Sequence, residues 1–143
     1  AVDTETGLIE ITDHFGGSDA GTIMNPRAAY NQMTSFFAGL DVAIREETVW
    51  DKWDNKVLNP NLIEYKARTF NEAPPHDHVC LESTKGRESD FPFGAMGIGE
   101  PIISPSGPAI TMAVYNACGI ELEEYPYLPA KVLAALKEKE DRA

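Results

Sequence analysis

The chain has 143 residues, 43% of them apolar, which is one domain's worth of polypeptide with enough apolar content for a core. Its 12 basic and 23 acidic residues leave a formal charge of −11, a balance that argues against nucleic acid and against an anionic membrane surface as partners. The two cysteines, Cys80 and Cys118, suggest neither a disulfide framework nor a paired metal spacing, no apolar run reaches the ~18 residues of a membrane span, and no signal peptide is read, so reduced thiols in a cytoplasmic protein are expected.

In chain order, Leu8 to Thr12 is rich in β-formers after a Glu5-Thr6-Gly7 turn and reads as a strand. His14 to Met24 holds Gly16, Gly17 and Gly21 and reads as a loop. It ends at Asn25-Pro26, an N-cap followed by proline at the first helical position, which predicts a helix from Pro26 to about Glu47. Ala29, Met33, Phe36, Leu40 and Ile44 make one apolar stripe along that helix, and Ala38 and Gly39 would let a neighbour pack closely.

Thr48-Val49-Trp50 and Val57-Leu58 read as a hairpin around a polar turn, and Leu62 to Thr69 as extended chain. His78 to Glu82 alternates like a short strand, and Lys85 to Asp90 is a charged loop. Ala109 to Ala117 predicts an apolar helix closed by Gly119, and Pro129 opens a last helix to about Lys139, with Val132, Leu133 and Leu136 facing inward. The class is α+β, with helices packed on small mixed or antiparallel sheets, and residues 1–143 form one unit.

The most informative stretch is Gly94-Ala95-Met96-Gly97-Ile98-Gly99-Glu100-Pro101. Its glycines allow unusual dihedrals and close approach to a ligand, while Pro101 biases Glu100 toward extended backbone. One carboxylate held at the lip of a tight loop suits a general base, and a plain turn is the alternative. Gln32 lies near the start of the long helix, where free N–H groups and the positive end of the dipole suit an anionic ligand and a glutamine can bond a flat heterocycle. Its alternative is a solvated amide on the helix side.

His76, His78 and Cys80 would share one face of a strand and are zinc-ligand types, but no second cluster follows, so a zinc-binding module is kept only as a rival. Trp50, Trp53 and Tyr65 read as core and hairpin packing, with an exposed aromatic patch as the alternative. Glu121, Glu123 and Glu124 read as solvated surface.

Several ordered segments carry a specific resemblance. Asp19-Ala20-Gly21-Thr22-Ile23-Met24-Asn25-Pro26 is similar to the Asp-x-Gly-x-x-x-Asn-Pro segment of the molybdenum-binding subunit of the xanthine dehydrogenase and aldehyde oxidase family, with Gln32 following at the family's spacing. Leu58-Asn59-Pro60-Asn61-Leu62-Ile63-Glu64-Tyr65-Lys66 resembles its LNPNFxDYK, and Phe93 to Pro101 resembles its FGAKGVGEP. Ala117-x-Gly119 and Leu128-Pro129-Ala130-Lys131-Val132-Leu133 extend the match to the tail. Met96 stands where lysine or a small residue is common, and the family's Gly-Gln pair reads Asn31-Gln32.

The resemblance implies hydroxylation of an aldehyde or N-heteroaromatic substrate with oxygen taken from water. The cofactor would be molybdenum held by a pterin, with the cytosine dinucleotide among its bacterial forms. Glu100 would be the catalytic glutamate that takes a proton from the metal-bound hydroxyl. Gln32 would lie near the pterin, and Gly97, Ile98 and Gly99 would line the metal's surroundings through backbone atoms. The match is to the C-terminal end of a much longer subunit, so the chain is expected to be an incomplete piece of the molybdopterin-binding domain. Either it is a separate small subunit of a split enzyme or it is a fragment from a cut precursor; it should dock on a companion chain carrying the rest, with 2Fe-2S and FAD on partner chains or domains taking the electrons onward. The rival within the family is a non-catalytic assembly subunit in which Glu100 caps a loop.

Overall fold

The computed structural model describes residues 1–85 and 90–142, so residues 86–89 of the expected charged loop lie outside the described residues. The first helix forms where its start signal stands. Asn25 accepts a hydrogen bond from the Ala28 N–H at 3.1 Å and Pro26 fills the first turn of α1 (Pro26–Met33). The expected single helix to Glu47 is instead two. At Thr34 and Ser35 the N–H groups bond back to the Asn31 and Gln32 carbonyls, three residues behind, and the Thr34 hydroxyl also donates to Asn31 O at 2.7 Å. A hydroxyl competing for a helix carbonyl and a tightened turn break the ladder there. The chain then re-enters helix as α2 (Phe36–Ile44). The apolar stripe survives the break, since Ala29, Met33, Phe36, Leu40 and Ile44 are all buried.

The sheet is a pair of parallel strands, β1 (His14–Asp19) and β2 (His76–Leu81), in register from His14 opposite His76 to Asp19 opposite Leu81. This corrects the antiparallel detail of the expected mixed or antiparallel sheets; among the described residues antiparallel pairing is confined to the bridges Val2–Ile9, Gly21–Ala95 and Trp50–Val57. It also corrects the glycine-rich loop, because β1 occupies its first half. Gly16 is there for packing: a Cβ would sit 2.9 Å from His14 Cε1 and 3.3 Å from Ile102 Cδ1. A glycine inside a strand where neighbours crowd the face is such a site.

Leu62 to Thr69 is likewise not extended. Asn61 caps the short helix α3 (Leu62–Tyr65) by accepting from the Ile63 and Glu64 N–H groups, and Lys66 ends it at φ 70°. A 3₁₀ turn follows at Phe70–Glu72. Helix α4 (Ser106–Cys118) closes on Gly119 at φ 66°, as the sequence predicts, and α5 runs Pro129–Arg142.

The core gathers Met33, Phe36 and Leu40 of the first two helices with Ile110 and Val114 of α4 and Val132 of α5. Of the expected inward trio on α5, Val132 is fully buried and Leu136 half-buried, but Leu133 is exposed and rests beside Gly7. The expected short hairpin pairs, with Leu58 N–H donating to Val49 O and Asp51 N–H to Lys56 O, each at 2.8 Å, but Trp50 and Trp53 stand outside the core, Trp53 with 94% of its surface exposed. Asp41 of α2 is buried but paired, accepting from the Arg68 N–H at 2.9 Å and from Arg68 Nε at 2.8 Å.

Candidate functional site

The glycine-rich loop is fixed at both ends. At its start, residues 20–22 and 94–96 pair locally: the Thr22 N–H donates to Gly94 O at 2.7 Å and the Met96 N–H to Ala20 O at 2.8 Å. The Thr84 hydroxyl also donates to Gly94 O. Both Gly21 and Gly94 have positive φ, and a Cβ on Gly21 would fall 2.2 Å from the Gly94 carbonyl oxygen. No side chain can stand at that crossing. Beyond Glu100, Ile102 is buried and Ile103 donates its N–H to Glu100 O at 2.9 Å. Gly39 of α2 lets the Ile103 carbonyl approach to 2.4 Å from where its Cβ would be.

Gln32 reaches the loop from α1. Its Nε2 donates to Ser35 Oγ at 2.6 Å and to the Gly99 carbonyl, so both amide protons are used. Among the described residues nothing bonds its carbonyl oxygen, which stays available as an acceptor. A groove of about 310 Å³ opens beside this contact, lined by Thr22, Asn25, Gln32, Met96, Ile98 and Gly99 among others. Three of the expected cofactor residues, Gln32, Ile98 and Gly99, therefore share one groove. Gly97 and Glu100 lie on the same loop but do not line it. A larger depression of about 810 Å³, between residues 1–11 and 71–75, contains none of these groups.

Glu100 is exposed, and its carboxylate makes no hydrogen bond or ion pair with the described residues. Gly97 and Gly99 are neither crowded nor left-handed. A Cβ at either would meet nothing within 4 Å, and only Gly94 of the three loop glycines has positive φ. The expected unusual dihedrals are thus confined to Gly94. Among the described residues no neighbour requires glycine at 97 or 99.

The histidines of the sheet pack around Phe36. The His14 ring stacks on Phe36 at 3.7 Å, nearly parallel to it, and the His76 and His78 rings lie 5.5 and 5.0 Å from the Phe36 ring. His76 Nδ1–H donates to the Pro74 carbonyl at 2.8 Å. Burial, with the other two imidazoles adding to it, pushes His14 below the ordinary histidine range, and burial followed by His76 does the same to His78. Among the described residues no group of three or more His, Cys, Asp or Glu side chains is placed to hold a metal ion, which removes the support for a zinc module.

His14, Ser35 and Thr84 were missed by sequence reasoning. No periodic signal in His14-Phe15-Gly16-Gly17-Ser18 marked His14, because the glycines at 16 and 17 interrupt any alternation.

The molybdopterin cofactor-binding domain family matches residues 1–74, just over half of the chain. The chain is 31% identical over 138 residues to the probable hypoxanthine oxidase XdhD of Escherichia coli (strain K12), covering 96% of this chain and 14% of that protein. It is 29% identical over 136 residues to the aldehyde oxidoreductase molybdenum-binding subunit PaoC of the same strain, covering 94% of this chain and 18% of that one. The quinoline 2-oxidoreductase of Pseudomonas putida 86 has the same fold over 96% of this chain and 17% of its own, with a TM-score of 0.83 at 24% identity. The chain thus spans under a fifth of the length of these proteins.

Proposed function

The chain belongs to the molybdopterin cofactor-binding domain family, and from that premise we propose that it is the base-bearing part of a molybdenum hydroxylase, with Glu100 as the catalytic base. Its substrate would be an aldehyde or an N-heteroaromatic ring. The carrying observation is the loop itself: among the described residues Glu100 has no partner, and two neighbouring glycines, Gly97 and Gly99, border open space. An unsubstituted backbone is of use where something outside the chain comes close.

The residues present fit a molybdenum–pterin group. The groove offers an amide carbonyl on Gln32, the capped start of α1 and apolar walls from Met96 and Ile98. When bound, such a group would supply a redox centre and an acidified water. Gln32 would bond the pterin edge while its Nε2 holds the Gly99 carbonyl, which ties cofactor position to loop position. Gly97, Ile98 and Gly99 would face the metal's surroundings through backbone atoms. Glu100 would take up a proton on a carboxylate oxygen and release it to solvent after each turnover. Its position is set by the Ile103 N–H on its own carbonyl and by Ile102 anchored in the core.

The remainder of the molybdenum domain would come from a companion polypeptide, and iron–sulfur and flavin groups on partner chains or domains would carry electrons away, in the cytoplasm. The relatives the chain matches are more than five times as long as the matched part, so such a domain takes more polypeptide than these residues supply. The test is Glu100→Gln in the assembled complex. Turnover should fall by about a hundred- to ten-thousand-fold with molybdenum and pterin content unchanged. Unchanged turnover at full cofactor content would instead make the chain a non-catalytic assembly subunit.

A further inference from the structure

We infer that Ser35 is a positioning residue for Glu100, acting through Gln32 on the peptide bond that joins Gly99 to Glu100. This rests on Glu100 being the base proposed above. Ser35 stands at the N-cap position of α2, where a serine hydroxyl ordinarily accepts a bond from a backbone N–H of the first turn. It makes no such bond, and its own backbone is already helical, at φ −61° and ψ −14°. Its oxygen instead accepts from Gln32 Nε2 at 2.6 Å. The break between α1 and α2 creates this contact. The Ser35 N–H bonds the Gln32 carbonyl, three residues behind, at 3.0 Å, and a turn wound that tightly eclipses the side chains of its first and fourth residues.

The sense of the Gln32 amide follows from its partners. The Gly99 carbonyl can only accept, so the amide nitrogen must face it, and the second amide proton falls to Ser35. The Gly99 carbonyl shares one rigid plane with the Glu100 N–H. Holding that oxygen therefore fixes the plane from which Glu100 leaves the chain. Among the described residues packing adds nothing to this hold: Gly99 is exposed and a Cβ on it would meet nothing within 4 Å. Glycine's freedom would otherwise let the peptide turn over. On the far side, the Ile103 N–H holds the Glu100 carbonyl at 2.9 Å. Both peptide units flanking Glu100 are thus restrained, one by its own turn and the other by the relay from Ser35 through Gln32. Without the hydroxyl, one Gln32 amide proton loses its acceptor and the side chain is released to swing away from Gly99.

The test compares Ser35→Ala with Ser35→Thr in the cofactor-loaded enzyme. Ser35→Ala should lower turnover per molybdenum about tenfold, with the substrate KM and molybdenum content within about twofold, and Ser35→Thr, which keeps the hydroxyl, should restore it. In a Gln32→Ala background the same Ser35→Ala change should cost less than about twofold, since the relay is already cut. Crystal structures supply a readout apart from turnover. In Ser35→Ala the Gly99–Glu100 peptide should be turned or divided between two orientations, with α1 and α2 unmoved. An unmoved peptide, or an equal loss with and without Gln32, overturns the positioning role, and the base stands if Glu100→Gln still loses its turnover. A Glu100→Gln enzyme at full turnover removes the base and this role with it, whatever the peptide does.

Discussion

Gly39 sets how close α2 comes to the segment behind Glu100. In a helix interior, alanine is favoured over glycine by roughly 0.5–1 kcal/mol. At this site the new Cβ would lie 2.4 Å from Ile103 O and 2.7 Å from Ser106 Cβ, and the first of these is backbone that cannot rotate away. Overpacking costs about 1–3 kcal/mol, so the steric loss outweighs the propensity gain. Gly39→Ala should therefore lower the midpoint of urea unfolding. In the assembled enzyme it should also reduce turnover, by displacing the loop that presents Glu100; a stabilised variant would show that α2 and the loop have room to part. The need for close packing at Gly39 was legible from the sequence, because a small residue on an apolar stripe has few other uses. What packs there was not, since the Ile103 carbonyl comes from more than sixty residues away.

At the scale of elements, local rules held and long-range pairing did not announce itself. The Asn25-Pro26 start and the Gly119 stop depend on neighbours within a turn, and both stand where they were read. Asn25→Ala should cost about 1 kcal/mol in chemical unfolding through the lost bond to the Ala28 N–H. The parallel sheet joins residues whose order in sequence says nothing of their adjacency, and its glycines looked like loop. That sheet also carries a pH response. His14 and His78 are depressed in the fold, so the folded state holds fewer protons than the unfolded one. Stability is then fully present above the unfolded histidine value, about 6.5, and declines as pH falls below it toward the folded values. Glu72, held near a pKa of about 2 mainly by the Thr69 N–H and hydroxyl and then by Arg45, does not titrate in that window. The urea midpoint should drop between pH 7 and pH 5, and His14→Phe, which keeps a ring on Phe36, should flatten the drop. Equal slopes in the two proteins would clear the histidine stack of the effect.

The whole molecule presents more apolar surface than its own core can use. Trp53, Phe70 and Phe93 are each exposed over more than four-fifths of their surface, and Ile63 and Leu62 stand open on α3. Scattered apolar residues on a surface are ordinary, but large aromatics open to this degree are what a partner buries. The same holds for chemistry: the loop of Glu100 was readable as a motif, yet the groove beside it, lined by residues 20–25, α1 and the loop, is open to solvent among the described residues. A cofactor bound there on this chain alone would leave most of its surface in water, whereas sites that hold such ligands bury about 70–90% of them. Expressed by itself, the chain should therefore purify without stoichiometric molybdenum by elemental analysis and should bind an apolar dye. Assembly with the companion proposed above should bring the metal and extinguish the dye signal together, because one event would cover both surfaces. Molybdenum retained at one atom per isolated chain would mean that these 143 residues enclose the cofactor unaided, and the split-domain account would then have to be abandoned.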